Sequence, residues 1–143
     1  MNCKNRNFKS AQVALNTNAQ STVATGTSIS VLGNQLTDTG CSIRMNPAGF
    51  SIESTGLYSF RYVVTFAADE AGTVTLQLFK DGVALPCSLV QETVAAGSVY
   101  TLIAEVPALA ICTCCNTHPS ITAAISGVAG TINYVCASAV KLA

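Results

Sequence analysis

The sequence predicts an all-β chain folded as a single antiparallel jelly-roll sandwich. Three observations carry this. Val, Thr, Ser, Ala and Gly dominate, while the Lys and Glu that populate helix surfaces are scarce. Short apolar-alternating runs, each ended by Gly, Pro, Asn or Asp, follow one another at even spacing, the mark of a sandwich or jelly roll. The 143 residues fit one domain, large enough to bury a core without metal or disulfide staples.

Residues 1–20 are rich in Asn, Gln, Ser and Thr and read as a polar N-terminal arm, with the jelly roll spanning 21–143. Cys3, Lys4, Arg6 and Lys9 on that arm are candidates for docking to a neighbour. "TSISVLGNQ" reads as the first strand, "LTDTG" as a turn, "CSIRM" as a strand closed by "NPAG", and "FSIES" as the next. The strongest strand is "LYSFRYVVTF". Its period of two places Tyr58, Phe60, Tyr62, Val64 and Phe66 on an aromatic inner face and Leu57, Ser59, Arg61, Val63 and Thr65 on the other. "ADEAG" turns into "TVTLQLFK", where Val74, Leu76 and Leu78 alternate with Thr73, Thr75 and Gln77, and "KDG" is a hairpin turn. "VALPCSLVQETV", "SVYTLIAEVPAL", "SITAAIS" and "TINYVCASAVKLA" complete eight to ten strands.

Several late strands are apolar or small on both faces, Val99, Thr101 and Ile103 opposite Tyr100, Leu102 and Ala104. An isolated antiparallel sandwich has a polar outer face, so the second apolar face predicts a subunit interface. Tyr100, Ile103 and Tyr134 are its candidates. Arg61 and Glu105 join them, as a charge pair formed within or between chains, because a buried unpaired charge is costly. Charge content points the same way. Seven basic and seven acidic side chains cancel, and charged residues total only 10%. A neutral, charge-poor surface favours association and excludes the basic patch that nucleic-acid binding needs. No run of apolar residues is long enough for a membrane span, and the start lacks a secretory apolar segment. No nucleic acid, membrane or cofactor partner is expected. Nor is enzymatic activity: a nucleophile needs an oriented base, His118 is the only histidine, and no hydrolase, metalloprotease or phosphate-loop motif is present.

The segments "FSIESTGLYSFRYVVTF", "GTVTLQLFKDGVALP" and "SITAAISGVAGTINYVCASAVKLA" resemble the skeleton of the trimeric C1q/tumour-necrosis-factor-like jelly roll over about two-thirds of the chain. Within that group "TVTLQLFKDGVALP", followed by "ETVAAG" and a cysteine-bearing loop, is similar to small structural proteins of Firmicute bacteria and their phages. The resemblance implies a homotrimer. It also implies a non-enzymatic structural protein of a phage virion, a capsid decoration or head-fibre component, that meets other capsid proteins through its arm. A spore- or cell-surface structural protein and a glycan-binding recognition module are the alternatives. Against the last, Tyr58 and Tyr62 point inward and Trp is absent, leaving Tyr100 or Tyr134 for sugar stacking.

Seven cysteines remain. Cys112, Cys114, Cys115 and His118 in "ICTCCNTHPS" offer zinc-type ligands, but their crowding in one run is unlike the two separated pairs of structural zinc sites, so they are weak candidates and no metal is expected. The alternatives are buried free thiols and disulfides. In a jelly roll of the resembling type the first and last strands are neighbours, which makes Cys41 and Cys136 a candidate bridge, and Cys87 a candidate partner for the loop at Cys112. The resemblance also raises calcium binding by turn carboxylates such as Asp69 and Glu70, with Asp38 and Asp81 in other turns. Ordinary solvated turns are the expectation.

Overall fold

The computed structural model describes residues 9–113 and 117–143. Two antiparallel sheets pack face to face, as the alternation predicts. The first runs in the order β11 (Val99–Ile111), β7 (Gly56–Ala68), β13 (Gly130–Lys141), β1 (Ala11–Asn16) and β4 (Asn34–Thr39), with β2 (Gln20–Thr22) on the start of β13. The second runs β10 (Val90–Val94), β8 (Gly72–Lys80), β12 (Ser120–Ser126), β6 (Gly49–Ile52) and β5 (Ile43–Asn46). Two short strands flank it, β3 (Thr27–Ser28) on β12 and β9 (Val83–Ala84) on β8.

The core is the meeting of the phases read from the sequence. Tyr58, Phe60, Tyr62, Val64 and Phe66 of β7 are wholly buried, facing Val74, Leu76 and Leu78 of β8, Ile121 and Ile125 of β12, and Phe50 and Ile52 of β6. Phe50 meets Tyr62 edge-on, with centroids 6.1 Å apart and planes at 79°, the arrangement the ring quadrupoles favour. At the "KDG" hairpin Asp81 (φ 50°) and Gly82 (φ 79°) both lie in the left-handed region, as a two-residue turn between twisted strands requires.

Three expectations are corrected. The N-terminal arm is shorter than 1–20, because Ala11–Asn16 forms β1, wedged between β13 and β4. The strand was hidden because its hydropathy is inverted. Gln12 and Asn16 point inward and are buried, bonded to the carbonyls of Ile43 (3.3 Å) and Ser30 (3.0 Å). Val13 and Leu15 point outward. Second, "LTDTG" is strand β4, not a turn. Third, "VALPCSLVQETV" is not one strand. A single 3-10 turn at Pro86–Ser88 breaks it, since Pro86 supplies no N–H to a ladder. Buried Ser88 Oγ fastens that turn, donating to Leu85 O at 2.6 Å and accepting from Leu78 N–H at 3.0 Å.

Candidate assembly surface

The two outward sheet faces differ in chemistry. On the sheet built round β8, cross-strand rows run Thr75–Gln91 and Thr75–Ser126, then Thr73–Thr93, then Gln77–Ala124. Hydroxyls and amides dominate, as on a solvated face. On the sheet built round β7 a central row runs Ile103–Val63–Cys136–Leu15, four apolar side chains across four strands. Above it lies Thr101–Thr65–Tyr134 and below it Glu105–Arg61–Ser138–Val13. Ile103 keeps 41% of its surface exposed, Tyr134 37% and, near the edge, Val99 61%.

Arg61 and Glu105 sit directly opposite one another, Nε to Oε2 3.8 Å, within one chain. Both are about half exposed, so water screens the pair and it adds little to the stability of a single chain. Ile103 and Tyr134 lie outward on this face of the sheet. Tyr100 does not. It shares the inward phase of Leu102 and packs on the core, and its hydroxyl accepts the Ala95 N–H at 2.9 Å. Cys136, a candidate for a disulfide, is instead a free thiol on this face.

The cysteine expectations change with it. Cys41 and Cys112 are each disulfide-bonded, whereas Cys87 and Cys136 are free thiols. A Cys41–Cys136 bridge is absent because the neighbour of the last strand is β1, and Cys136 lies opposite Leu15 and Val63 at mid-sheet. A bridge between Cys87 and Cys112 is absent as well. Cys87 sits exposed in the 3-10 turn beyond β9, while Cys112 follows the far end of β11. Cys3, Lys4, Arg6, Cys114 and Cys115 lie outside the described residues. Lys9 is exposed, and its Nζ donates to Leu142 O at 2.7 Å.

The two described metal candidates are occupied otherwise. A disulfide takes Cys112 from the ligand pool, and His118 Nδ1 stands 2.7 Å from Glu53 Oε2. Arg44 approaches the other oxygen of that carboxylate at 3.5 Å, so β5, the β6–β7 connection and the segment before β12 converge on Glu53. Sequence reading missed this cluster, because residues so far apart carry no local signal. The turn acids fasten hairpins to one another. Asp81 Oδ1 accepts the Ser120 N–H at 2.8 Å and Glu70 Oε1 the Ala129 N–H at 3.4 Å. Among the described residues no three His, Cys, Asp or Glu side chains gather as ligands.

No protein-family model matches the chain, and no curated protein matches its sequence. Solved structures do match. The globular domain of zebrafish complement 1qA superposes with a TM-score of 0.68 at 10% identity, covering 94% of this chain and 98% of that one. Murine APRIL gives 0.68 at 14% identity, covering 94% and 100%. The PRD1 vertex protein P5 gives 0.61 at 14% identity, covering 94% and 74%. At such identities the likeness speaks for the fold alone, and that fold is the antiparallel jelly roll of C1q and tumour-necrosis-factor heads.

Proposed function

We propose that this chain is a non-enzymatic structural protein of a phage virion, acting as a homotrimer in a capsid decoration or head fibre. The observation that carries the reading is the apolar row Ile103–Val63–Cys136–Leu15 on a sheet face that a solitary sandwich would keep polar. A second copy laid on that row removes apolar surface from water at about 25 cal/mol per Å². A stable contact needs about 800 Å² from each side, a modest share of the 6983 Å² this chain exposes. The face adjoins an open edge at β11, which presents Val99 and Ile103. An edge laid on a neighbour's face is a contact between unlike patches, and such contacts form a ring when the rotation between copies closes. Three copies is the number the jelly-roll resemblance implies. The likeness to a phage vertex protein supports the virion setting.

Native mass spectrometry and analytical ultracentrifugation test the assembly. A mass of three chains is expected, and Val63→Asp or Ile103→Asp should yield a folded monomer, since each puts a charge into the covered row. A wild-type monomer at micromolar concentration would overturn it. Proteomics and immunogold labelling of purified particles test the setting, and the protein's absence from the shell would refute it. The disulfides at Cys41 and Cys112 favour the second reading, a spore- or cell-surface protein, because such bonds persist outside the reducing cytoplasm. Labelling of intact cells or spores separates the two.

A further inference from the structure

We infer that assembly turns the Arg61–Glu105 pair from a contact within one chain into a bridge between chains, in which Glu105 on the edge strand of one copy takes Arg61 on the face of the next. This rests on the reading of the β7-sheet face as the contact between copies. Arg61 and Glu105 are the only charged side chains that the six strands of that sheet turn outward. The other two charges on those strands, Asp38 and Lys141, lie opposite the buried Gln12 and Tyr58 and share their inward phase. The face thus offers one acid, on the outermost strand β11, and one base, on β7 beside it.

Within one chain the pair is loosely made. Its 3.8 Å approach is beyond hydrogen-bond reach, although a guanidinium brings five N–H donors and a carboxylate two acceptor oxygens. Among the described residues neither charge has a second ion-pair partner. Water satisfies both while the face is open. Arg61 lies two residues from Val63, and Glu105 two from Ile103, about 7 Å along each strand on the same face. A copy that covers the apolar row therefore strips water from both charges, and a buried charge needs further hydrogen bonds. The pair's own cross-strand row offers only the Ser138 hydroxyl, followed by apolar Val13. The covering copy supplies the rest, since the β11 edge that brings Val99 and Ile103 to the contact carries Glu105 as well. Apolar burial is non-directional. The bridge is what fixes the register of one copy on the next and rejects faces that lack the complementary charge.

Carbodiimide coupling of the Arg61→Lys variant tests this. The reagent joins the new amine to the Glu105 carboxylate as an amide, takes up the oxygen and two hydrogens released and leaves as a urea, so only groups already in contact are linked. Reducing denaturing gels should show two- and three-chain bands, and peptide mapping should find the β7 and β11 peptides joined at this pair. Adding Glu105→Gln to the variant should remove that joined peptide. Native mass spectrometry of the same protein before coupling gives the number of chains. A three-chain mass with the link confined to single-chain bands, or with no link at the pair, would overturn the bridge and leave the trimer standing. A one-chain mass would overturn both. Charge reversal supplies a second reading. Arg61→Glu and Glu105→Arg should each weaken association by about tenfold or more, and an equimolar mixture of the two should assemble more tightly than either alone. Unchanged association in both variants, or no gain on mixing, would also overturn the bridge.

Discussion

Replacing Tyr62 by Phe should make this protein more stable. Tyr62 is wholly buried beside Phe50, and its cross-strand neighbours in β11 and β13 are Ala104 and Ala137, whose methyl groups offer the hydroxyl nothing. Among the described residues that hydroxyl has no hydrogen-bond partner. A buried unsatisfied hydroxyl costs about 1–3 kcal/mol. Removing one oxygen leaves a void on the order of 15 Å³, which takes back about 0.4 kcal/mol. The aromatic contact survives, so the net gain is about 0.6–2.6 kcal/mol. For a chain of this length each kcal/mol moves the melting temperature by about 2–4 °C, giving a rise of about 1–10 °C.

Alkaline pH gives the same substitution a second signature. Burial pushes the Tyr62 phenol well above its ordinary value of 10.0. The folded chain thus keeps a proton that the unfolded chain releases. The stability tied to that proton is whole below about pH 10 and falls by about 1.4 kcal/mol per unit above it, until the folded group itself ionises. Tyr62→Phe lacks this slope. Circular-dichroism melts of both proteins, at neutral pH and upward from about pH 9, read the two effects. Protein concentration must be held fixed, because assembly makes the midpoint depend on it. A lower midpoint for Tyr62→Phe at neutral pH, with parallel alkaline slopes, would show that the hydroxyl is satisfied in the native state and refute the reasoning.

Gly130→Ala should destabilise by about 2–4 kcal/mol or prevent folding, because its new methyl group would strike the Ala67 carbonyl and the buried Phe66 ring; urea titration checks this. Asp81→Ala should cost about 1–2 kcal/mol through loss of the Ser120 N–H acceptor and strain at a positive φ, and Asp81→Asn much less, in the same titration. Peptide mapping after native alkylation should find Cys87 modified at once, Cys136 only after Val63→Asp dissociates the assembly, and Cys41 and Cys112 only after reduction.

What was legible in the sequence followed the period-two signal. The inward set of β7 and the alternation of β8 needed only the phase of their side chains, and all of those core residues are buried. The "KDG" turn was legible because two successive left-handed residues need a short polar side chain and a glycine. β1 was illegible for a physical reason. It pairs with β4, and its buried amide belongs to a polar network there, Gln12 donating to Asp38 and Gln35 donating to Gln12. A strand that buries amides and shows Val13 and Leu15 outward reads as a polar arm until a partner for its outer face is considered. The outward apolar row was half legible. Two-sided apolarity in the late strands signalled it, yet Tyr100 faces inward, because phase alone cannot say which of two apolar faces turns outward. The bond from Lys9 to the Leu142 carbonyl was invisible, since it joins positions that only the pairing of β1 with β13 brings together.

That pairing also sets an order in time. β7 is hydrogen-bonded on one side to β11 and on the other to β13, and β13 in turn carries β1. A chain emerging from the ribosome therefore exposes one flank of its aromatic-lined β7 until β13 has been made. Ala11 meets Val140 only after β13 has emerged. Such distant pairings close slowly and leave an unpaired edge open to other chains in the interim. Cys136 and Tyr134 reach the sheet with that final strand. The sheet face that carries them is therefore complete only once β13 has joined β7 and β1.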